Sequence, residues 1–174
     1  MEPRVLGDEL LAVGRRLKLL RRRVEAGGVV FERDVVAFGE AVIVVPILGG
    51  GRVLMVKQWR APIQSWVLEV PAGKLEQGED PREAAVRELE EETGYIAGSL
   101  VELGSFYATP GYSDEVMHFY AALQLSKGRA HPEPGEVLKV VEVDADEYLY
   151  GAGSTPRDLK TVASLLLCKA RGLL

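Results

Sequence analysis

Hydrophobic and polar positions along the chain fall into blocks that predict a series of strands. The longest apolar run, AVIVVPIL, occupies residues 41–48 and is typical of a strand that is covered on both faces. Three consecutive glycines, 49–51, then turn the chain. Further strands are predicted at residues 52–60, 65–70, 100–107, 116–124 and 137–143.

Capping signals predict helices between and after these strands. Asp80 is followed by a proline and supplies an N-cap, and Gly94 is placed to end that helix in a left-handed conformation. Residues 144–149 predict a short helix, and Thr155 opens a last helix that runs to about residue 171. Strands followed by a helix, twice over, predict an α/β fold with a mixed sheet covered by helices.

The N-terminal region is predicted to form a small hairpin. Residues 15–23 read RRLKLLRRR, and the interleaved leucines favour a strand or helix with one solvated face over a nucleic-acid patch. Gly27-Gly28 predicts the turn of a hairpin over residues 15–34. Such a hairpin is too small to be stable alone. We therefore divide the chain into residues 1–38, which need a packing partner, and residues 39–174.

Composition limits the classes of function. The 174 residues carry a net charge of −5, so the surface offers no general attraction for nucleic acid. The sequence contains neither a secretory segment nor a long apolar span, and we expect a cytoplasmic protein without a membrane partner. The single cysteine, Cys168, lies in an apolar run and is expected to be buried. The absence of asparagine, with abundant Arg and Glu, favours a thermophilic source.

Residues 73–95, GKLEQGEDPREAAVRELEEETGY, carry the main chemical signal. On a helix Glu88, Glu91 and Glu92 fall within an arc of about 100°. Like charges at these spacings repel, and a bound divalent cation would offset that repulsion. The neighbouring arc carries apolar residues that we expect to pack the helix onto a sheet: Ala85, Val86 and Leu89.

The spacing of this segment resembles the signature of the Nudix hydrolases. Every specified position is filled: Gly73, Glu79, Arg87, Glu88, Leu89, Glu91, Glu92, Gly94 and Tyr95. The resemblance runs from about residue 15 to the C-terminus and implies the Nudix fold, an α/β/α sandwich with a mixed sheet, plus the N-terminal β-hairpin. It also implies hydrolysis of a nucleoside diphosphate. The segment offers no nucleophile beside a base, so we expect direct attack by water.

The same resemblance implies roles for particular residues. The expected ligands of Mg²⁺, or of Mn²⁺ as a substitute, are the Ala72 carbonyl, Glu88, Glu91, Glu92 and Glu136. The expected catalytic residues are Glu91, Glu92 and Glu136. Glu133 is the second candidate in the loop that contains Glu136. Arg87 is expected to orient the carboxylates, Gly73 and Glu79 to shape the loop, and Glu83 and Glu90 to be solvated surface. His118 and His131 are interpreted as structural.

The predicted substrate depends on Pro110, which lies fifteen residues after the end of the signature. Many Nudix enzymes that act on ADP-ribose carry a proline at this spacing. We therefore expect hydrolysis of ADP-ribose to AMP and ribose 5-phosphate, with Arg60, Glu69 and Pro110 at the substrate. Arg60 suits a phosphate because guanidinium binds phosphate in a bidentate manner. Relatives pair their N-terminal strands, so we expect a homodimer, in which Phe31 or Trp66 stacks on adenine.

Two alternatives remain. The first keeps the chemistry and changes the substrate to another nucleoside diphosphate derivative, such as a sugar nucleotide or a dinucleoside polyphosphate. The second is a sensor domain that binds a nucleotide without cleaving it. The complete set of Glu88, Glu91 and Glu92 counts against a sensor, because binding alone does not require all three.

Overall fold

The computed structural model describes residues 2–131, 137–152 and 156–174. The strands of these ranges are β1 Arg4–Val13, β2 Lys18–Ala26, β3 Val29–Ala37, β4 Glu40–Gly49, β5 Arg52–Arg60, β6 Ser65–Glu69, β7 Ala72–Lys74, β8 Tyr95–Ile96, β9 Ser99–Tyr107, β10 Val116–Leu123, β11 Ser126–Lys127 and β12 Leu138–Asp144. The helices are α1 Pro81–Thr93, α2 Ala145–Tyr150 and α3 Leu159–Ala170, with one 3₁₀ turn at Ala61–Ile63. The α/β class predicted from the sequence is confirmed.

The main sheet has the strand order β12-β5-β4-β10-β9, with β6 paired to β5 and β7 paired to β4. Strands β4 and β5 pair next to their connecting turn, where Ile47 lies opposite Val53. Farther from the turn, β6 pairs with β5 from Val56 onward, and β7 pairs with β4 at residues 41–43. The two central strands therefore separate, and the chain between them, residues 65–74, leads directly into the segment that precedes α1.

One apolar cluster fixes α1 on this sheet. Ala84, Ala85 and Leu89 are fully buried and pack against Val42 and Val44 of β4. Two alanines allow a close approach of helix to strand, and burial of Leu89 contributes roughly 2 kcal/mol. The polar edge of α1 is therefore held at a fixed distance from the sheet.

Helix α3 is attached to the sheet at both of its ends. The Thr161 hydroxyl accepts a hydrogen bond of 3.0 Å from the Val70 amide, and Arg171 donates to the carbonyls of Glu102 and Leu103 at 2.6 and 3.0 Å. The helix buries Leu165 and Cys168 completely. Among the helices of the described residues, none is long and apolar enough to cross a bilayer.

Two details of the helices differ from the sequence predictions. Val86 does not pack on the sheet: its side chain is exposed, and Ala84 takes the buried place instead. The buried residues repeat at intervals of three and four, and Val86 lies outside that repeat. Helix α3 begins at Leu159 rather than near Thr155, because the Asp158 carboxylate accepts from the Thr161 amide at 2.9 Å and caps the helix.

Residues 1–40 and 106–117 form one compact unit, and residues 41–105 and 118–174 form the other. In the first unit β1, β2 and β3 make an antiparallel sheet. Gly27 and Gly28 have φ values of 59° and 80°, as a two-residue type I′ turn requires, so the predicted hairpin turn is confirmed. Strand β1 was not predicted, since its pattern is interrupted by Gly7 and two bulges. The proposed division at residue 38 stays a prediction.

Charge pairs hold β1 to its neighbour. Arg22 donates to both carboxylate oxygens of Asp8 at 2.8 Å, and Arg4 donates to Glu25 at 2.9 Å. The cross-strand register places these partners opposite each other. The basic segment 15–23 therefore serves in part as a partner for acidic residues of the same sheet.

Burial raises the pKa of the Cys168 thiol to about 12. The native protein should therefore not react with a thiol reagent such as 5,5′-dithiobis(2-nitrobenzoate) at pH 8, because the thiol is both protonated and inaccessible. One equivalent should react after unfolding in guanidinium chloride. Rapid labelling of the native protein would contradict the packing of α3.

Candidate active site

Helix α1 begins and ends at residues that fix its position. The Asp80 carboxylate accepts from the Arg82 amide at 2.8 Å, and Pro81 occupies the first helical position. Gly94 has a φ of 73° and donates its amide to the Glu90 carbonyl at 2.8 Å. The predicted caps are confirmed. These contacts define where the acidic edge of the helix starts and stops.

The three glutamates of the predicted cluster lie at different depths on α1. The side chain of Glu91 is 20% exposed and that of Glu88 12%, whereas Glu92 is 2% exposed as a residue. A carboxylate at that depth needs compensating partners. One partner is the Ala72 amide, which donates to Glu92 Oε2 at 3.3 Å. The structure therefore brings Ala72 and Glu92 together, and the predicted role of the Ala72 carbonyl as a ligand stays a prediction.

Arg87 is the cation at the centre of this cluster. Its Nε and Nη2 donate to the two carboxylate oxygens of Glu79 at 2.8 and 2.9 Å. Its Nη1 donates to Glu88 at 2.7 Å and to Glu91 at 3.3 Å. The hydrogen bonds and charge of Arg87 hold the pKa of Glu79 below its ordinary value, although burial opposes this shift. Arg87 therefore joins the helix to the loop before it.

The backbone also shapes that loop. Glu79 accepts a hydrogen bond from the Glu76 amide at 2.9 Å, and Arg87 donates to the Lys74 carbonyl at 3.2 Å. The Glu79 amide in turn donates to the Glu76 carbonyl at 3.1 Å. Both Glu79 and Arg87 thus act on the shape of residues 74–79, as predicted for Glu79.

Gly73 lies directly against the Glu88 carboxylate. A Cβ atom at this position would be 1.8 Å from Cδ of Glu88 and 2.0–2.2 Å from its two oxygens. Such distances are far below any van der Waals contact, so a side chain here would displace the carboxylate. The glycine is required at this point because of the space that Glu88 occupies, since its own φ is not in the left-handed region.

A second charged group lies on β5 and β6. Arg60 donates from Nε and Nη2 to the two oxygens of Glu69, both at 2.7 Å. Lys160 of α3 also donates to Glu69, and it donates to Asp158 at 3.0 Å. Glu69 is 1% exposed, so its charge is neutralised by two cations rather than by water. Lys160 and Asp158 were not identified from the sequence.

Arg60 is electrically linked to the acidic edge of α1. Burial alone would lower the pKa of Arg60, but its hydrogen bonds to Glu69 and the charges of Glu69 and Glu92 hold the pKa above its ordinary value. The acidic edge of α1 and the charged group around Glu69 therefore belong to one region of the second unit. The predicted contacts of Arg60 and Glu69 with substrate stay predictions.

Other residues predicted from the sequence lie elsewhere. Pro110 lies in the first unit, in a turn where the amides of Tyr112 and Ser113 donate to the Thr109 carbonyl at 3.1 and 2.9 Å. Glu133 and Glu136 lie outside the described residues. His131 donates its amide to the Glu91 carbonyl at 3.0 Å.

The two aromatic candidates for adenine occupy known positions within their strands. Trp66 lies directly opposite Trp59 in the β5–β6 ladder, and Lys57 lies 5.9 Å above its ring. Successive residues of a strand alternate between faces, so Trp66 is on the face opposite to Arg60. Phe31 lies on β3, with the Arg33 guanidinium 4.6 Å from its ring centre. Neither arrangement tests the adenine prediction.

The donor set of α1 fits a hard divalent cation. Within residues 2–131, 137–152 and 156–174, no three His, Cys, Asp or Glu side chains converge as ligands of one ion. Glu88 and Glu91 turn oxygens toward Arg87, and Glu92 turns one toward the Ala72 amide. These donors are nevertheless all oxygens, the type that Mg²⁺ and Mn²⁺ prefer, and the missing Cβ of Gly73 leaves room for the Glu88 carboxylate.

Comparison with known proteins shows the family. The model of a family described as NUDIX domain matches residues 37–163. An ADP-ribose pyrophosphatase of Bacillus subtilis (strain 168) is 37% identical over 152 residues, which are 86% of this chain and 82% of that protein. A methanol dehydrogenase activator of Bacillus methanolicus is 39% identical over 168 residues, 94% of this chain and 91% of that protein.

A solved structure shares the fold. The crystal structure of an ADP compounds hydrolase has a TM-score of 0.84 at 24% sequence identity, with 100% of this chain and 98% of that chain covered. At this identity the likeness concerns the fold alone. The fold predicted from the sequence is confirmed.

Replacement of Arg87 by Met should lower the free energy of unfolding at pH 7, without metal, by roughly 1–3 kcal/mol, because partly buried carboxylates lose their cation. The pKa of Glu79 is lowered in the folded protein. The stabilisation that ionised Glu79 gives the folded protein is therefore present above the pKa that Glu79 has in the unfolded chain. It disappears as the pH falls through the lower pKa of Glu79 in the folded protein. The difference between Arg87→Met and wild type should narrow below about pH 4.5.

Urea denaturation across pH 3–8 measures this effect. Arg52→Met provides a matched control, because Arg52 forms a single exposed ion pair with Glu142 at 2.8 Å and exposed pairs contribute under about 1 kcal/mol. A pH-independent loss in Arg87→Met would mean that packing of the side chain, rather than its charge, stabilises the helix.

Proposed function

Since the chain belongs to the Nudix family of hydrolases, we propose that it hydrolyses the diphosphate bond of ADP-ribose and releases AMP and ribose 5-phosphate. The observation that carries this proposal is the acidic edge of α1, where Glu88, Glu91 and Glu92 are held by Arg87, Gly73 and the Ala72 amide. A buried cluster of like charges costs stability and is therefore expected at a site that uses it.

A divalent cation, Mg²⁺ or Mn²⁺ in its place, belongs to this proposal. The residues that would hold it are the carboxylates of Glu88, Glu91 and Glu92, with the Ala72 carbonyl and Glu136 proposed from the family resemblance. When bound, the cation neutralises charge on the diphosphate and lowers the pKa of a bound water. In the Nudix family ADP-ribose pyrophosphatases generally use divalent metals.

The chain's own residues orient the reacting groups. Arg87 holds Glu88 and Glu91 in place through Nη1, and Glu91 is our candidate for the base that receives a proton from the attacking water. Arg60 has Nε and Nη2 committed to Glu69, so its Nη1 is the nitrogen that can reach a phosphate oxygen. A guanidinium fixed in this way loses little conformational entropy when it binds substrate.

ADP-ribose is preferred over other diphosphates for two reasons. One is the Bacillus subtilis relative, an ADP-ribose pyrophosphatase that is matched over most of both chains. The other is Pro110, at the spacing seen in enzymes of that specificity. A sugar nucleotide or dinucleoside polyphosphate is the alternative substrate, and a sensor without turnover is the alternative class.

The first test is incubation with ADP-ribose and Mg²⁺, beside a panel of other nucleoside diphosphate derivatives, with products separated by chromatography. AMP and ribose 5-phosphate should form fastest from ADP-ribose, and EDTA should stop the reaction. Glu88→Gln and Glu92→Gln should each lower kcat by at least about 100-fold, since each removes a charge from the acidic edge.

Glu83→Gln is the matched control, because Glu83 lies on the same helix with its side chain exposed, and it should retain wild-type kcat. If another panel member is cleaved faster, that compound and not ADP-ribose is the preferred substrate. Binding of ADP-ribose without cleavage of any compound would place the chain among sensors. Near-normal turnover in Glu92→Gln would contradict the assignment of that carboxylate.

We further propose that the active form is a homodimer built with β1–β3. Several apolar side chains of this sheet are exposed in the single chain: Val5, Leu6, Leu10, Val13, Val29 and Val30. Exposed apolar side chains concentrated in one element mark an interaction surface. A second copy of the chain is the occupant that the family resemblance indicates.

The double variant Leu10→Glu, Val29→Glu should convert the dimer to a monomer, because burying two carboxylates at an apolar interface is unfavourable. Light scattering coupled to size-exclusion chromatography measures the mass. Tyr150→Glu serves as control, since Tyr150 is 69% exposed on α2, and should remain dimeric. A wild-type mass of about 19 kDa would refute the dimer.

A further inference from the structure

Gln58 carries a buried polar atom that the proposed mechanism has not used. The residue lies near the end of β5 and is 6% exposed. Its side-chain oxygen Oε1 is buried and has no hydrogen-bond partner among the described residues. An unsatisfied buried acceptor costs about 1–3 kcal/mol, so such a group calls for a partner that the described part of the chain does not supply.

The strand register shows which face Gln58 occupies. Side chains alternate along β5, so Val56, Gln58 and Arg60 share one face. Across the ladder to β6, Glu69 lies opposite Val56 and shares that face. Gln58 therefore lies one step along the strand from the guanidinium that Glu69 holds.

The same face is the one that meets the acidic edge of α1. The charge of Glu92 acts on Arg60, and α1 contacts both β5 and β12. On its other side Gln58 pairs with Leu138 of β12, and the Trp59 amide donates to the Val137 carbonyl at 3.1 Å. Gln58 is therefore placed between β6 and β12, on the face that carries Arg60, the residue on which the charge of Glu92 acts.

The chemistry of the neighbours decides what can bind to Oε1. This atom accepts hydrogen bonds, and the ionised carboxylates of α1 cannot donate one. Arg60 directs Nε and Nη2 to Glu69, and Lys160 donates to Glu69 and Asp158. A water molecule brings its own hydrogens to a face rich in acceptors and can donate one of them to Oε1.

We propose that Gln58 positions the attacking water, by accepting one of its hydrogens at Oε1. The inference rests on the proposed hydrolysis. The second hydrogen of that water passes as a proton to a carboxylate, its oxygen forms a bond to phosphorus, and the bond from phosphorus to the bridging oxygen breaks. Gln58 neither gains nor loses a proton and fixes only the direction of attack.

Gln58→Leu separates this role from a structural one. Leucine removes the orphan acceptor at similar volume, so the melting temperature should stay equal or rise. Because a water-orienting contact acts in the transition state, kcat should fall by about 10- to 100-fold while KM changes less than about threefold. A residue that only packs the core would lose stability and activity together.

Gln58→Glu is the conservative variant, since it keeps an acceptor oxygen at the same place, and it should recover at least about a tenth of wild-type kcat and exceed Gln58→Leu. Lys139→Met is the matched control on the neighbouring strand β12. Lys139 is exposed and pairs with Lys57, on the face opposite to Gln58, and this variant should retain wild-type kcat and KM.

These variants are assayed on whichever diphosphate the wild type cleaves best, so that an error in the substrate does not affect the outcome. If Gln58→Leu keeps kcat within about twofold of wild type, or raises KM instead of lowering kcat, the inference is wrong while the hydrolase proposal stands. If the wild type cleaves no member of the panel, the hydrolase proposal fails first, and the water-positioning role fails with it.

Discussion

The site depends on keeping several negatively charged carboxylates together along one edge of helix α1. Glu79, Glu88 and Glu91 are joined by a single guanidinium, that of Arg87. Glu92 adds a fourth formal negative charge, whereas Arg87 by itself supplies one positive charge. Arg87 has enough donors to set the geometry of three carboxylates, but too little charge to neutralise them. That imbalance is the physical reason for expecting a divalent cation.

A group with such internal repulsion requires a rigid support. Leu89 and two alanines anchor α1 on β4, and Asp80 and Gly94 fix its two ends. Because the anchor and the acidic edge belong to the same helix, a shift of packing would move Glu88, Glu91 and Glu92 together. Functional groups on a packed helix are held more precisely than groups on loops. The second charged group follows the same rule, since Glu69 joins β5 and β6 to α3 through Arg60 and Lys160.

Local signals predicted those parts of the structure that local physics determines. The caps of α1 were predicted because an Asp-Pro start and a glycine stop act within a few residues. Val86 was assigned to the sheet on an arc of the helical wheel, but the actual contact lies on the side of Ala84. The start of α3 was placed at Thr155 because proline often begins a helix, whereas the Asp158 carboxylate caps it three residues later. Packing on β4 decided the first case, whereas in the second case another local signal, the cap at Asp158, set the start of the helix.

Long-range pairs could not be predicted from the sequence. Lys160 lies 91 positions from Glu69, and no local pattern relates a lysine in the first turn of a helix to a strand so far away. Gln58 lies two residues before Arg60, yet only the burial of its oxygen distinguishes it from a surface amide. The acidic edge of α1 was predictable because its residues are neighbours on one helix, whereas the contacts of Lys160 and the burial of Gln58 depend on how the sheet assembles.

The depth of Glu92 bears on the choice between enzyme and sensor. At 2% exposure an ionised carboxylate loses several kcal/mol of hydration, and its partners, the Ala72 amide at 3.3 Å among them, have to offset that loss. A binding domain would gain stability by replacing Glu92 with an apolar residue of similar volume. The presence of this acid beside Glu88 and Glu91 is accounted for by chemistry that needs negative charge at that depth, which agrees with the hydrolase family to which the chain belongs.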